Sequence, residues 1–164
     1  MPANTEAPGS DAGVLTDGRQ SPRALAIQRG TCRMLRALDF AALTELTLAG
    51  GRRADIVALG AKGDLWIVEI KSGIEDFRAD QKWPEYQAHC DQLYFAVSKD
   101  FPIGILPEAA GVIIADGYGA SIIRPAPEQR LSAGRRKAVL LRFARAGART
   151  LHGLADPGAT EPAG

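Results

Sequence analysis

The chain has 164 residues, 46% hydrophobic and 24% charged, which suits one globular domain with a core of its own. Twenty basic residues against nineteen acidic ones give a net charge of +1, so overall charge does not mark a nucleic-acid binder. No apolar run approaches a membrane span, and the start of the chain lacks the basic-then-apolar layout of a secretory leader. A cytoplasmic protein with no membrane partner is therefore expected.

Residues 1–20 are rich in Ala, Pro, Gly, Asp and Thr and are expected to form a disordered tail, because they bury too little to offset their ordering entropy. Ser21-Pro22 opens a helix, with serine as N-cap and proline at the first helical position. It is predicted to run to about Leu38, with Leu25, Cys32, Leu35 and Leu38 as its apolar stripe. Arg29, Arg33 and Arg36 share another face, which reads either as phosphate contact or as a solvated surface.

Thr44–Leu48 alternates and reads as a first strand, with Gly50-Gly51 as its turn. Two more strands follow, from Arg52 to Leu59 and from Asp64 to Ser72, broken by Gly60–Gly63. A hairpin centred on Lys62 sets Leu59 opposite Leu65 and Val57 opposite Ile67, and the same register sets Asp55 opposite Glu69. Lys71 lies two residues on, along the same face as Glu69. Opposed carboxylates repel, so they need compensation from Lys71 or from a divalent cation.

Ile74–Trp83 reads as a short helix or structured loop, and Pro84 starts a second helical piece through His89. Lys82 and Tyr86 read as phosphate contacts or as surface and core residues, respectively. Trp83 reads as core. Asp91–Val97 is a buried strand, and Gly111–Asp116 with Ala120–Arg124 forms a hairpin over Gly117-Tyr118-Gly119. Cys32 and Cys90 are expected to be reduced thiols in helices. Between Arg130 and Arg149 there are seven basic residues and no acid. There Arg135, Arg142, Arg145 and Arg149 fall near one helical face, with Leu140, Leu141, Ala144 and Ala148 as the expected packing stripe. Such a patch attracts phosphates irrespective of sequence. From His152 onward a second disordered tail is expected, which leaves one domain over residues 21–151.

Asp55, thirteen intervening residues, then Glu69-Ile70-Lys71 resembles the Asp…Glu-x-Lys signature of the PD-(D/E)XK nuclease superfamily. The surrounding residues are similar to one branch of it, the MmcB-like DNA repair proteins. These are Glu45-Leu46, Gly51–Val57, Trp66–Ser72, Asp76-Phe77-Arg78, Lys82–Tyr86 and Cys90–Val97, and the likeness spans about Pro22 to Leu151. It implies an α/β (α+β) domain with a restriction-endonuclease-like αβββαβ core, a mixed sheet flanked by helices; the order of elements read from the residues agrees. It further implies Mg²⁺ or Mn²⁺ held by Asp55, Glu69 and the Ile70 carbonyl, with Lys71 beside the scissile phosphate. DNA is the implied partner, in the company of other repair proteins. Arg52 and Arg53 flank this centre as candidate phosphate contacts. Many relatives carry an acid in the first helix, but Pro22–Leu38 contains none, so Glu45 is the candidate for that role. Three readings follow: a metal-dependent DNA endonuclease, a DNA-binding repair factor with weak or absent catalysis, and a protein-interaction module in which the acids and lysine form an ionic network.

Overall fold

The hairpin inferred from its apolar pairs forms the middle of a six-stranded sheet. A computed structural model describes residues 20–159, so the expected disorder of residues 1–19 and 160–164 lies outside the described residues. The elements are α1 (Pro22–Ala37), β1 (Phe40–Thr47), β2 (Arg53–Gly60), β3 (Leu65–Ile70), α2 (Ile74–Ala79), β4 (Gln92–Val97), β5 (Gly111–Ala115), β6 (Ala120–Arg124) and α3 (Ala133–Ala155). Short 3-10 helices at Trp83–His89 and Ile103–Ile105 flank β4. The first six elements follow the expected αβββαβ order.

The strands lie side by side in chain order. β1, β2 and β3 are antiparallel, β4 and β5 are parallel to β3, and β6 is antiparallel to β5. Val57 pairs with Ile67 and Leu59 with Leu65, the register that the apolar residues require. Gly63 closes the turn at φ 93°, a backbone that favours glycine, and its N–H donates to the Gly60 carbonyl.

Two apolar layers sandwich the sheet. On one face α1 packs Ile27 and Leu35 over Ile56, Val68, Tyr94 and Ile113. On the other, Val57, Ile67, Phe95 and Val112 meet Tyr86 and Cys90 from the 3-10 segment and Val139 from α3. The layers place everything that follows: α1 is on one side of the sheet, and α3 and the 3-10 helix are on the other.

Several expectations need correction. β1 begins at Phe40, four residues before Thr44. The buried face of α1 is Ile27, Gly30, Thr31 and Leu35, while Leu25 and Leu38 are about half exposed at 50% and 49%. The reason lies at Gly30, where a Cβ would meet the Asp116 carbonyl oxygen at 2.0 Å and that of Gly119 at 2.4 Å. The helix rests directly on the β5–β6 turn there, so its contact face is centred on a glycine, which carries no hydropathic signal. Gly30→Ala is expected to destabilise the fold by about 1–3 kcal/mol, read as a shift in the urea midpoint. On α3 the packing residues are Val139, Leu140, Phe143 and Ala146; Leu141, Ala144 and Ala148 are exposed. α3 also continues through His152 to Ala155, so the expected tail starts too early. Cys32 and Cys90 are both free; Cys32 lies in α1, and Cys90 caps the 3-10 helix.

Candidate active site

Asp55 and Glu69 meet where the sheet's regular hydrogen bonding stops. The β2–β3 ladder runs from Leu59/Leu65 to Ile56/Val68 and ends one step short of Asp55/Glu69. The β1–β2 ladder pairs Thr44 with Ile56 and Leu46 with Ala54 and omits the Glu45/Asp55 step between them. At that step Glu45 sits at φ 57°, a left-handed backbone unusual for glutamate. Freed from the ladder, the Asp55 N–H donates to Glu69 Oε1 at 3.0 Å, and the Ile70 N–H donates to Asp55 Oδ2 at 2.7 Å. Each carboxylate is held by the other strand's backbone, and the two side chains hydrogen-bond each other.

The environment is poor in water. Glu69 is 3% exposed and Lys71 4%. Burial, together with the Asp55 charge, pushes the Glu69 carboxyl up to about 9. Burial also raises Asp55 above its ordinary value, against the lowering effect of the Ile70 N–H. Without a cation the coupled pair therefore holds one proton between its two carboxylates at neutral pH. Burial pushes the Tyr86 hydroxyl up to about 12, aided by the Glu69, Asp55 and Asp80 charges nearby.

Because the folded pKa of Glu69 is raised, its stabilising contribution is complete below the ordinary glutamate pKa and is lost as pH rises toward 9. Glu69→Gln removes that dependence while keeping an acceptor for Asp55. With EDTA present, the variant is expected to be more stable than the parent by on the order of 2 kcal/mol at pH 7, with the margin widening to pH 9. Melting temperature against pH checks this; parallel curves would contradict it.

Lys71 is anchored from both ends. Its N–H donates to the Ala96 carbonyl at 3.0 Å, and its Nζ reaches Asp80 Oδ2 at 2.7 Å. Asp80 was not among the residues singled out from sequence. Burial raises its pKa, but hydrogen bonds from Lys71 and the Lys82 N–H outweigh this and hold it below the ordinary range. Asp80 caps the C-terminus of α2, and Asp76, within α2, receives the Ser72 N–H at 3.0 Å. Asp76 was among the residues that carry the family resemblance, whereas the only sequence signal for Asp80 was an acid shortly after a strand-end lysine.

Glu45 does not join the pair. It is exposed, and no group of three or more His, Cys, Asp or Glu side chains arranged to hold a metal occurs among the described residues. Tyr86 is core: it is 5% exposed, with its hydroxyl donating to the Arg53 carbonyl at 3.0 Å. Arg52 is ion-paired with Glu85, whereas Arg53 and Lys82 are exposed near the pair. Arg29, Arg33 and Arg36 are exposed on α1, across the sheet from Asp55, and Arg33 donates to the Tyr118 carbonyl at 3.3 Å. The α3 arginines are on the site's side. Burial and the charges of Arg135 and Arg142 lower the pKa of His89 in the 3-10 helix.

A divalent ion fits the donor set on chemical grounds. The buried Glu69 and partly buried Asp55 carboxylates repel unless one is protonated, and Mg²⁺ commonly takes one or two carboxylates with water and phosphate.

The model of the family described as "DNA repair protein MmcB-like" matches residues 11–158. The chain belongs to the MmcB-like family. A solved structure, a protein of unknown function from Silicibacter pomeroyi, is 41% identical to this MmcB-like chain with a TM-score of 0.83, over 88% of this chain and 99% of that one. A search of curated proteins gave no significant match. Among the described residues of the MmcB-like chain, no helix is long and apolar enough to cross a membrane.

Proposed function

We propose that this protein is a metal-dependent DNA endonuclease of the PD-(D/E)XK type acting in repair. The observation that carries this reading is the reciprocal clamp of Asp55 and Glu69 on each other's strands, with Lys71 buried beside them. A family named for DNA repair supports DNA as the partner.

Asp55, Glu69 and the Ile70 carbonyl would hold Mg²⁺ or Mn²⁺, which when bound polarises a phosphate and lowers the pKa of a coordinated water. The chain's own contribution is orientation and charge. The Asp55 and Ile70 N–H groups fix the two carboxylates, so little reorganisation is needed at the moment of reaction. Asp80 holds the Lys71 ammonium on the Glu69 face of β3, where it can balance negative charge growing on a phosphate. Burial strengthens that interaction by excluding water. The reading of a DNA-binding factor without catalysis draws on one observation, that Glu45 stays apart from the acid pair.

The test is cleavage of labelled single-stranded, duplex, flapped and four-way DNA with Mg²⁺, Mn²⁺ or EDTA, beside Glu69→Ala. Cutting that needs the metal and vanishes in the variant is expected. Cutting that survives the substitution marks a contaminant, and salt-sensitive binding without cutting leaves the non-catalytic factor.

A further inference from the structure

β1 is an edge strand, and α3 runs antiparallel beside it: Arg142 Nη1 donates to the Thr47 carbonyl at 3.4 Å, and Gly147 lies against Leu43. Between them is a groove of about 700 Å³ with Leu43, Leu46 and Leu141 among its lining. Arg142, Arg145 and Arg149 also line it from α3, and they make no ion pair among the described residues. The groove runs past the acid pair, because Glu45, partway along its β1 wall, occupies the step opposite Asp55. The opposite wall carries one charge, Glu45.

We infer that a single nucleic-acid strand reaches the Asp55–Glu69 centre along this β1–α3 groove, its phosphates held in sequence by Arg142, Arg145 and Arg149. This rests on the nuclease reading and narrows its substrate class. Arg142 and Arg149 are two helical turns apart, about 10.5 Å along one wall, which matches a short run of backbone and not an isolated anion. Aliphatic side chains in the groove offer the bases a dry surface. A duplex presents two phosphate rows, whereas the groove has cations on one wall only and a carboxylate on the other, where a second row would meet repulsion. The α1 arginines lie across the sheet and take no part.

The experiment uses the full chain carrying Glu69→Gln, with fluorescence anisotropy of a labelled oligonucleotide against a blunt duplex over a range of salt. Because binding is read without cleavage, failure of the groove and failure of the nuclease reading are separable. The single strand is expected to bind at least tenfold more tightly than the duplex. Adding Arg142→Gln, Arg145→Gln and Arg149→Gln is expected to weaken it more than tenfold and to lower the salt slope by about 2. An Arg145→Gln/Arg149→Gln pair, which leaves the Thr47 contact intact, is expected to give an intermediate loss, and the triple Arg29/Arg33/Arg36→Gln a change under twofold. Unchanged affinity in the α3 variants, an equal loss in the α1 variant, or duplex binding as tight as single-strand binding overturns the proposal.

Discussion

Lys71→Met is expected to lower metal-dependent cleavage by roughly 10²–10³-fold while leaving divalent-cation affinity near that of the parent. Methionine matches the length and apolar stem of lysine, so the packing around a side chain only 5% exposed should survive. What it removes is the single ammonium ion-paired beside the two carboxylates. Asp80→Asn should have a smaller effect in the same direction, since the ammonium stays but loses its anchor. Single-turnover rates on a cleaved substrate, with cation titrations of each variant, separate the two roles. If Lys71→Met lost cation binding and cleavage together, the lysine would be supporting the acid pair and not acting on the phosphate.

Asp91→Ala is expected to destabilise the fold by about 3–5 kcal/mol, a large share of a domain's typical 5–15 kcal/mol. Its carboxylate is 1% exposed and takes four donors: Arg136 Nη2 at 2.6 Å and the Leu131 N–H at 2.9 Å on Oδ1, Arg136 Nη1 at 2.9 Å and the Leu65 N–H at 2.8 Å on Oδ2. Arg136 Nη1 also reaches the Gly63 carbonyl at 2.7 Å. One side chain thus ties the start of β3, the β2–β3 turn and the connector before α3 to α3 itself. Removing it strands Arg136 and two main-chain donors. Burial raises the Asp91 pKa, but the Arg136 hydrogen bonds with the Leu65 and Leu131 N–H groups outweigh it, and the net shift is downward. Its stabilisation is accordingly present above the ordinary aspartate pKa and lost as pH falls through its depressed folded value. Urea unfolding at pH 7 and at pH 3 checks both statements; a gap between variant and parent that does not shrink at pH 3 would contradict the second.

The hairpin that carries the acid pair was legible because its evidence is local. Val57, Leu59, Leu65 and Ile67 alternate about a glycine-bounded turn, and any slip would turn them to the wrong layer. The resemblance carried by Glu69-Ile70-Lys71 and its neighbours named the same pair of acids. Asp80 was invisible, because its meeting with Lys71 depends on how α2 folds back after Ser72. Arg136 sits among exposed arginines on α3 and looks like one of them; only the buried Asp91, forty-five residues earlier, distinguishes it. Both helix stripes were only partly right, Cys32, Leu35 and Leu140 packing as expected and the rest missing for a similar reason. Gly30 in α1 and Ala146 in α3 are chosen for close approach, which hydropathy does not record, while Leu25 and Leu141 attract attention and are exposed. Glu45 was chosen by adjacency in the sheet, and its left-handed backbone goes with a side chain that lines the α3 groove.

Calorimetric titration of the metal-free chain with Mn²⁺ tests most directly whether the Asp55–Glu69 pair is a divalent-cation site. Run at pH 7 in two buffers of different ionisation heat, it should show one site that releases about one proton on binding, because the acid pair must give up the proton it shares. Glu69→Gln should show no such site. Equal binding by the variant, or no binding by the parent, would contradict the account.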